Sequence, residues 1–165
     1  MDAIVAVNDD WGIGADGTQS FVLKADRKFF AEMTKGCAVI VGRRTMQDFP
    51  GGKPLKNRPN IVVTGSDIEI EGATVVHSTD EAIAEASKYE RVMVIGGASV
   101  YMQFFPCLDR IYVTKIDAHA ESTAFFPNLD RNSAFVCEHE GEEQEENGIK
   151  FRFCTYKRKN QELFT

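Results

Sequence analysis

Asp26 lies in a part of the sequence whose residue types suggest chemistry. It stands at the start of a helical pattern, among Phe21, Leu23, Phe29 and Phe30. An Asp in the first turn of a helix commonly stabilises the helix dipole. A carboxylate held in a largely dry, apolar pocket instead has a raised pKa, which suits it to handle a proton. The residues alone leave both interpretations open.

Three segments that follow predicted strands carry groups suited to binding a ligand. Residues 41–45 (Val-Gly-Arg-Arg-Thr) place two arginines at the predicted start of a helix. The backbone N–H groups of a helix start and the guanidinium groups both bind phosphate. Residues 64–66 (Thr-Gly-Ser) supply hydroxyls, and residues 96–99 (Gly-Gly-Ala-Ser) allow a ligand to lie against the backbone. Each segment is also typical of an ordinary turn, but the three together favour a ligand site. The Gly-rich residues 8–18 are either tight turns or a lid over that site.

The elements that must position these groups alternate between strands and helices. Apolar, β-branched runs predict eight strands, at residues 1–8, 37–41, 60–64, 74–76, 91–95, 110–116, 134–140 and 150–157. Helical spacing predicts helices at residues 24–35, 79–89 and 98–105, with a short one opening near Thr45. The acidic residues 141–148 are expected to form a solvated hairpin loop.

This order of elements predicts an α/β fold in a single domain over residues 1–165. We expect one doubly wound, mostly parallel eight-stranded sheet, with an antiparallel C-terminal strand and about four flanking helices. Ligands of such sheets bind beyond the carboxyl ends of the strands, where the three segments described above lie.

Composition argues against several classes of function. The 165 residues include 19 basic and 25 acidic ones, a net charge of −6, which argues against a nucleic-acid-binding surface. No apolar run approaches the ~18 residues of a membrane span, and the N-terminus lacks the basic region of a signal peptide. The four cysteines and three histidines are scattered, without metal-ligand spacing or carboxylate-rich surroundings. We therefore expect a cytoplasmic protein with reduced thiols, no metal site, and no nucleic-acid or membrane partner.

Short motifs recur along almost the whole chain in a specific order and spacing. They are Ile4-Val-Ala-Val with Gly12-Ile-Gly14, Leu23-Lys-Ala-Asp26 with Phe29-Phe30, Val41-Gly-Arg-Arg-Thr45, Pro54-Leu-Lys-Asn-Arg-Pro-Asn60, Val94-Ile-Gly-Gly97 with Tyr101, Tyr112-Val-Thr114, and Phe125-Phe-Pro127. In this combination the sequence resembles the dihydrofolate reductase family of bacterial type.

The resemblance implies an oxidoreductase that reduces 7,8-dihydrofolate to 5,6,7,8-tetrahydrofolate by hydride transfer from NADPH. Its catalytic positions match Asp26, Thr114 and Phe21. By this resemblance Asp26 hydrogen-bonds the pterin and promotes protonation of N5 through a water, which makes C6 electrophilic. Thr114 bonds both the carboxylate and the pterin. Phe21 keeps a hydrophobic wall where the family usually has Trp, but it lacks the indole N–H donor.

The resemblance also implies binding positions for both ligands. The substrate-binding positions are Ile4, Val5, Asp26, Arg27, Phe30, Phe49, Leu55, Arg58, Ile95 and Thr114. The cofactor-binding positions are Ala6, Ile13, Gly14, Gly42, Arg43, Arg44, Thr45, Thr64, Ile95, Gly96, Gly97, Ala98, Ser99 and Tyr101. Arg58 is expected to grip the α-carboxylate of the glutamate tail. Arg43 is expected to bind the adenosine 2′-phosphate with help from Thr64, while Arg44 and Thr45 face the pyrophosphate.

Three further residues depart from the family pattern. Gln19 replaces a usually apolar lid residue, and Arg27 replaces an apolar residue that faces the aminobenzoyl group. Ser99 stands where some members carry a second phosphate-binding arginine.

Two other functions are also compatible with the sequence. One is an NADPH-dependent reductase of a ribosylated pyrimidine in riboflavin synthesis, which shares the fold but lacks the pair formed by Asp26 and Arg58. The other is a non-catalytic nucleotide-binding module. For the dihydrofolate reductase interpretation, the expected partners are dihydrofolate and antifolate-type inhibitors, and the expected state is a monomer.

Overall fold

The computed structural model describes residues 1–15 and 19–159, so part of the predicted lid lies outside the described residues. The strands are β1 (Asp2–Val7), β2 (Gly12–Gly14), β3 (Ala38–Gly42), β4 (Asn60–Val63), β5 (Ala73–Val76), β6 (Val92–Gly96), β7 (Arg110–Asp117), β8 (Ala124–Phe125), β9 (Phe135–Glu140), β10 (Gln144–Glu146) and β11 (Ile149–Arg158). The helices are α1 (Lys24–Thr34), α2 (Arg43–Gln47), α3 (Thr79–Ala86) and α4 (Ala98–Phe104).

One large sheet forms the centre of the fold. Its strands lie in the order β10-β11-β7-β1-β6-β3-β4-β5, and β9 pairs with the same strand, β11, as β10 does. The pairings from β7 through β5 are all parallel, whereas β11 runs antiparallel to β7, β9 and β10. Because β9 and β10 follow each other along one edge of β11, the nine-stranded sheet is eight strands wide. The predicted mostly parallel α/β sheet is therefore confirmed.

Helices cover both faces of the sheet because buried side chains alternate along the strands. Ile4 in β1, together with Val39, Val41, Met93 and Ile95, belongs to the cluster that we call the site-face cluster. Helices α1 and α2 pack on this cluster. The strand residues next to these in sequence belong to a second cluster, which we call the opposite-face cluster and on which α3 and α4 pack. They are Ala3, Val5, Val7, Ile40 and Val94. This arrangement is the doubly wound architecture that the sequence predicts.

Two local pairings differ from the prediction. Residues 141–148 are not only a loop, since Gln144–Glu146 form β10 and pair with residues 149–151 of β11. The strand lacks an apolar alternation because Gln144 and Glu145 are exposed, so no hydrophobic pattern marks it. The short strands β2 and β8 also pair with each other, holding the first part of the Gly-rich loop against the chain after β7.

All four cysteines are free thiols, of which Cys37 and Cys154 are buried. None of the helices within residues 1–15 and 19–159 has the length and apolar character that crossing a bilayer requires.

Candidate active site

Asp26 and Thr114 come together although they lie on different elements. Asp26 is in the first turn of α1, and Thr114 is a fully buried residue of β7. The Thr114 hydroxyl donates a hydrogen bond of 2.6 Å to Oδ1 of Asp26. Burial raises the pKa of Asp26, and hydrogen bonds from Thr114 and Gln19 offset only part of that effect. A helix dipole would lower this pKa, so the dry-pocket interpretation describes the site better.

An apolar wall stands beside this carboxylate. Ile4 and Ile95 lie in the site-face cluster, and Phe30, Phe49 and Leu55 pack against the same cluster while staying partly exposed. These five predicted substrate-binding residues therefore share one surface.

Val5 does not belong to that wall. Its side chain lies in the opposite-face cluster because it is adjacent to Ile4 in an extended strand. Substrate binding by Val5 therefore stays a prediction, and it would involve the Val5 backbone rather than its side chain.

A small cavity lies between β1 and the Gly-rich loop. Ala6, Ile13 and Phe21 line it together with Gln19 and Ser20. Ala6 is the direct neighbour of Thr114 in the β1–β7 pairing, which places the cavity next to the Asp26–Thr114 hydrogen bond. Phe21 is half-buried and packs against the cluster of Leu23, Ile116 and Phe151. The cavity-lining residues of the loop and the Asp26 carboxylate therefore border one region.

Gly14 lies in the Gly-rich loop on the same side of the site. It pairs with Ala124 of β8, and its carbonyl accepts a 3.0 Å hydrogen bond from the Thr123 backbone N–H. The positive φ of 140° at Gly14 is readily available only to glycine. The described part of the Gly-rich loop is thus anchored to the segment after β7.

Two strand-to-helix turns meet at the carboxyl edge of the sheet. A Cβ on Gly97 would lie 2.8 Å from Oγ1 of Thr45, and one on Gly42 would lie 3.8 Å from the Gly96 carbonyl oxygen. Gly96 has a φ of 117°, and a Cβ there would lie 3.2 Å from the Tyr101 ring. Side chains at these positions would fill the space between the turns, so the glycines keep backbone accessible to a ligand.

Tyr101 ties these turns to the first strand. Its buried hydroxyl donates a 2.6 Å hydrogen bond to the Ile4 carbonyl. Burial raises the pKa of Tyr101 far above its usual value, so the phenol stays neutral. Tyr101 therefore joins the predicted cofactor turn to a predicted substrate-binding residue.

The predicted phosphate-binding residues lie along the same edge. Gly42 pairs with Val63, so the following residues, Arg43 and Thr64, are neighbours at the ends of β3 and β4. Arg43 is half-buried and Arg44 is exposed, and neither forms an ion pair with any other described residue. Both guanidinium groups are thus free to meet an anion.

The start of α4 borders this edge from the other turn. Ala98 is half-buried, and Ser99 is exposed, where its hydroxyl accepts a 3.2 Å hydrogen bond from Gln103. Ser99 therefore offers a hydroxyl to a ligand, without the charge that an arginine would bring.

Arg58 lies at the far end of α1. Its guanidinium donates to the Thr34 hydroxyl (3.1 Å), to the Ala31 carbonyl (3.2 Å) and to the Lys56 carbonyl (2.8 Å). A guanidinium has five N–H donors, so two remain for a carboxylate. Arg27, by contrast, is exposed on α1 and has no ion pair among the described residues, so its substrate role stays a prediction.

Glu146 contacts the site region, and sequence reasoning missed it. Its carboxylate accepts hydrogen bonds from the backbone N–H groups of Lys24 (2.7 Å) and Ala25 (3.0 Å). Its charge also contributes to the raised pKa of Asp26. No local signal marks this residue, because its partners lie more than 120 positions earlier in the chain.

Asp9, Asp10 and His119 form an exposed cluster that takes no part in the contacts described above. The Asp9 Oδ1 lies 2.8 Å from the His119 Nδ1, and this contact raises the pKa of His119. The expectation that the histidines stand apart from carboxylates is therefore wrong for His119. The potential ligand atoms of the three residues lie within 4.8 Å of one another, but exposed acidic groups commonly cluster without a metal ion.

Known proteins similar to this chain identify its family. The family model described as dihydrofolate reductase matches residues 1–158. The dihydrofolate reductase of Bacillus subtilis (strain 168) is 38% identical over 159 residues, which cover 95% of this chain and 94% of that protein. The dihydrofolate reductase HdrB of Haloferax volcanii is 35% identical, over 94% of this chain and 82% of that protein. A solved structure of dihydrofolate reductase from Enterococcus faecalis, complexed with NADP(H) and RAB-propyl, superposes with a TM-score of 0.84 at 36% identity and covers 96% of each chain. By motifs, fold and whole-length similarity, the chain belongs to the dihydrofolate reductase family.

Proposed function

We propose that Asp26, oriented by Thr114, promotes the proton transfer in this chain's reaction. The chain is an NADPH-dependent dihydrofolate reductase, which reduces 7,8-dihydrofolate to 5,6,7,8-tetrahydrofolate. The observation that carries the role of Asp26 is the 2.6 Å hydrogen bond from a fully buried threonine to a partly buried carboxylate with a raised pKa. Such a carboxyl group holds a proton at a higher pH than an ordinary one.

A single acid–base group is sufficient for this reduction. Protonation of N5 makes C6 of the pterin electrophilic, so the substrate accepts a hydride at that carbon. Asp26 favours this protonation through its negative charge or by passing a proton through water. The apolar wall of Ile4, Ile95 and Phe30 keeps the ring near the carboxylate and excludes competing water.

The two glycine turns fit a dinucleotide cofactor. Gly42, Gly96 and Gly97 leave backbone accessible where a Cβ would collide or crowd, and Thr45 lies between the turns. We assign the pyrophosphate to this region, with Arg44 beside it, and the adenosine 2′-phosphate to Arg43 and Thr64. Bound NADPH supplies the hydride. The positive groups at this edge supply local attraction for the phosphates on a protein whose net charge is −6.

A direct assay separates this function from the two alternatives. The purified chain is mixed with NADPH, and loss of the cofactor's near-ultraviolet absorbance is followed before and after adding dihydrofolate. We expect oxidation only when dihydrofolate is present. A ribosylated-pyrimidine reductase would respond to its own substrate alone, and a nucleotide-binding module would bind NADPH without oxidising it.

Arg43→Ala tests the assignment of the 2′-phosphate. We expect the KM for NADPH to rise about tenfold or more, because a charge-assisted hydrogen bond contributes about 1.5 kcal/mol or more. The KM for NADH should change little, since NADH lacks this phosphate. Steady-state kinetics with both cofactors measure the difference, and Arg91→Ala is a matched control at the opposite, amino end of β6. Equal increases for the two cofactors would place the 2′-phosphate elsewhere.

The proposal extends to partners in one respect. We expect the chain to bind dihydrofolate and antifolate-type inhibitors in the pocket between Asp26 and the apolar wall. A monomeric state, a cytoplasmic location and the lack of a nucleic-acid or membrane partner stay predictions from the sequence.

A further inference from the structure

Glu146 caps the helix that carries Asp26 from a distant part of the chain. Its Oε2 accepts the Lys24 N–H at 2.7 Å, and its Oε1 accepts the Ala25 N–H at 3.0 Å. The residue at the N-cap position, Leu23, has no side chain that could accept these bonds. The first turn of α1 thus depends on a carboxylate supplied by β10 for two of its unpaired N–H groups.

Three strands of the sheet hold α1 in place. Glu146 in β10 binds its first turn, Phe153 in β11 stacks on Phe29 with ring centres 4.4 Å apart, and Thr114 in β7 bonds Asp26. These strands are consecutive neighbours in the sheet. Asp26 directly follows Ala25, one of the two residues that Glu146 binds. A shift of the capped turn would therefore move the carboxylate relative to Thr114.

Glu146 also places a negative charge near Asp26. Among the described residues, Glu146 and the neutral, buried Tyr101 interact electrostatically with Asp26. On α1 itself the neighbouring charges of Lys24 and Arg27 are exposed, where solvent screens them.

Other charges of the hairpin do not neutralise this group. Lys150 and Arg152 lie 3.9 and 4.0 Å from the Glu143 carboxylate. The Glu146 carboxylate instead faces backbone N–H groups, so its charge stays available to influence the site.

We propose that Glu146 is a positioning residue for the proton-handling carboxylate, which fixes the first turn of α1 and supplies negative charge beside Asp26. The inference rests on the proposed role of Asp26. A nearby negative charge favours the protonated form of any group in the site, whether the proton resides on Asp26 or on N5 of the substrate. Glu146 therefore widens the pH range over which the proton is available.

Glu146→Gln tests the charge while keeping one of the two acceptor oxygens that bind the N–H groups of Lys24 and Ala25. We expect the pH profile of the hydride-transfer rate to move toward lower pH, with a several-fold loss on its alkaline limb and little change on its acid plateau. Pre-steady-state kinetics are the measurement, because product release limits the steady-state rate of many enzymes. Glu145→Gln is the matched control, since it removes the same charge from an exposed neighbour in the same strand.

Three outcomes would overturn this proposal. They are a Glu146→Gln profile that superimposes on the original, a rate loss that is equal at every pH, or an equal shift in Glu145→Gln. Glu146→Ala should add a lower Tm to the same shift, because it also removes the cap. Failure of the underlying role of Asp26 is distinguishable, since it would show as normal neutral-pH turnover in Asp26→Asn.

Discussion

Asp26→Asn is expected to lower the hydride-transfer rate near neutral pH by about 10²- to 10⁴-fold, the usual contribution of a general acid or base. Asn keeps an oxygen that can accept the 2.6 Å hydrogen bond from Thr114, so the geometry of the site is largely retained. It can neither hold a proton nor stabilise a positive charge on N5. The loss should therefore report the acid–base role of the residue rather than a rearrangement of the pocket.

The deficit of Asp26→Asn should shrink as the pH falls. In acid, solvent can protonate N5 directly, and the enzyme then needs only to orient the two rings. Single-turnover rates across the pH range measure this convergence. A variant with normal rates near neutral pH would remove Asp26 from the mechanism. Glu32→Gln, at an exposed position of the same helix, provides the control for a loss of charge from α1.

Asp26→Asn should also change stability in a pH-dependent manner. Burial raises the pKa of Asp26 in the folded state, so the stability associated with its protonated form is present in acid and is lost as the pH rises through that pKa. Asn carries no charge. We therefore expect the variant to be more stable than the original near neutral pH, with the difference vanishing below the usual carboxyl pKa. Thermal unfolding at several pH values measures this, and it also shows that the inactive variant is folded.

The sheet could be predicted because its signals are local. Residues 38–41 of β3 are all buried, and such an unbroken apolar run indicates a strand covered on both faces. Once the strands are parallel, their carboxyl ends must share an edge, so the segments after β3, β4 and β6 had to meet. The glycines at residues 42, 96 and 97 were therefore placed correctly at one edge from sequence alone.

The two interpretations of Asp26 could not be separated in this manner. Its environment is set by Thr114, 88 positions later, and by Glu146 in a strand without an apolar pattern. An Asp in the first turn of a helix looks the same in sequence whether its side chain faces solvent or a buried hydroxyl on a neighbouring strand. Val5 shows the related limit, since a motif match names a position but the alternation of the strand decides which face its side chain occupies.

Arg58→Ala is the second large effect that we expect. The two N–H groups left after its three protein contacts suit a bidentate bond to the α-carboxylate of the substrate's glutamate tail. Loss of this charge-assisted contact should raise the KM for dihydrofolate by about 10- to 100-fold, because such a contact contributes about 1.5–3 kcal/mol of binding free energy. The rate of hydride transfer at saturation should change far less, because Asp26 and Thr114 lie in the first turn of α1 and in β7, whereas Arg58 binds the last turns of α1.

A truncated substrate distinguishes this binding role from damage to the fold. Arg58 also joins the end of α1 to the segment before β4, through Thr34 and Ala31, so its removal could displace the helix. A dihydropterin without the aminobenzoyl-glutamate tail has no carboxylate for Arg58. Its kcat/KM should be nearly equal in the original chain and in Arg58→Ala if only the tail contact is lost. Arg58→Lys should recover part of the affinity for dihydrofolate, since an ammonium keeps the charge but not the planar fork. Equal losses with the complete and truncated substrates would instead assign Arg58 to holding the helix, because only a displaced α1 affects a substrate that has no tail.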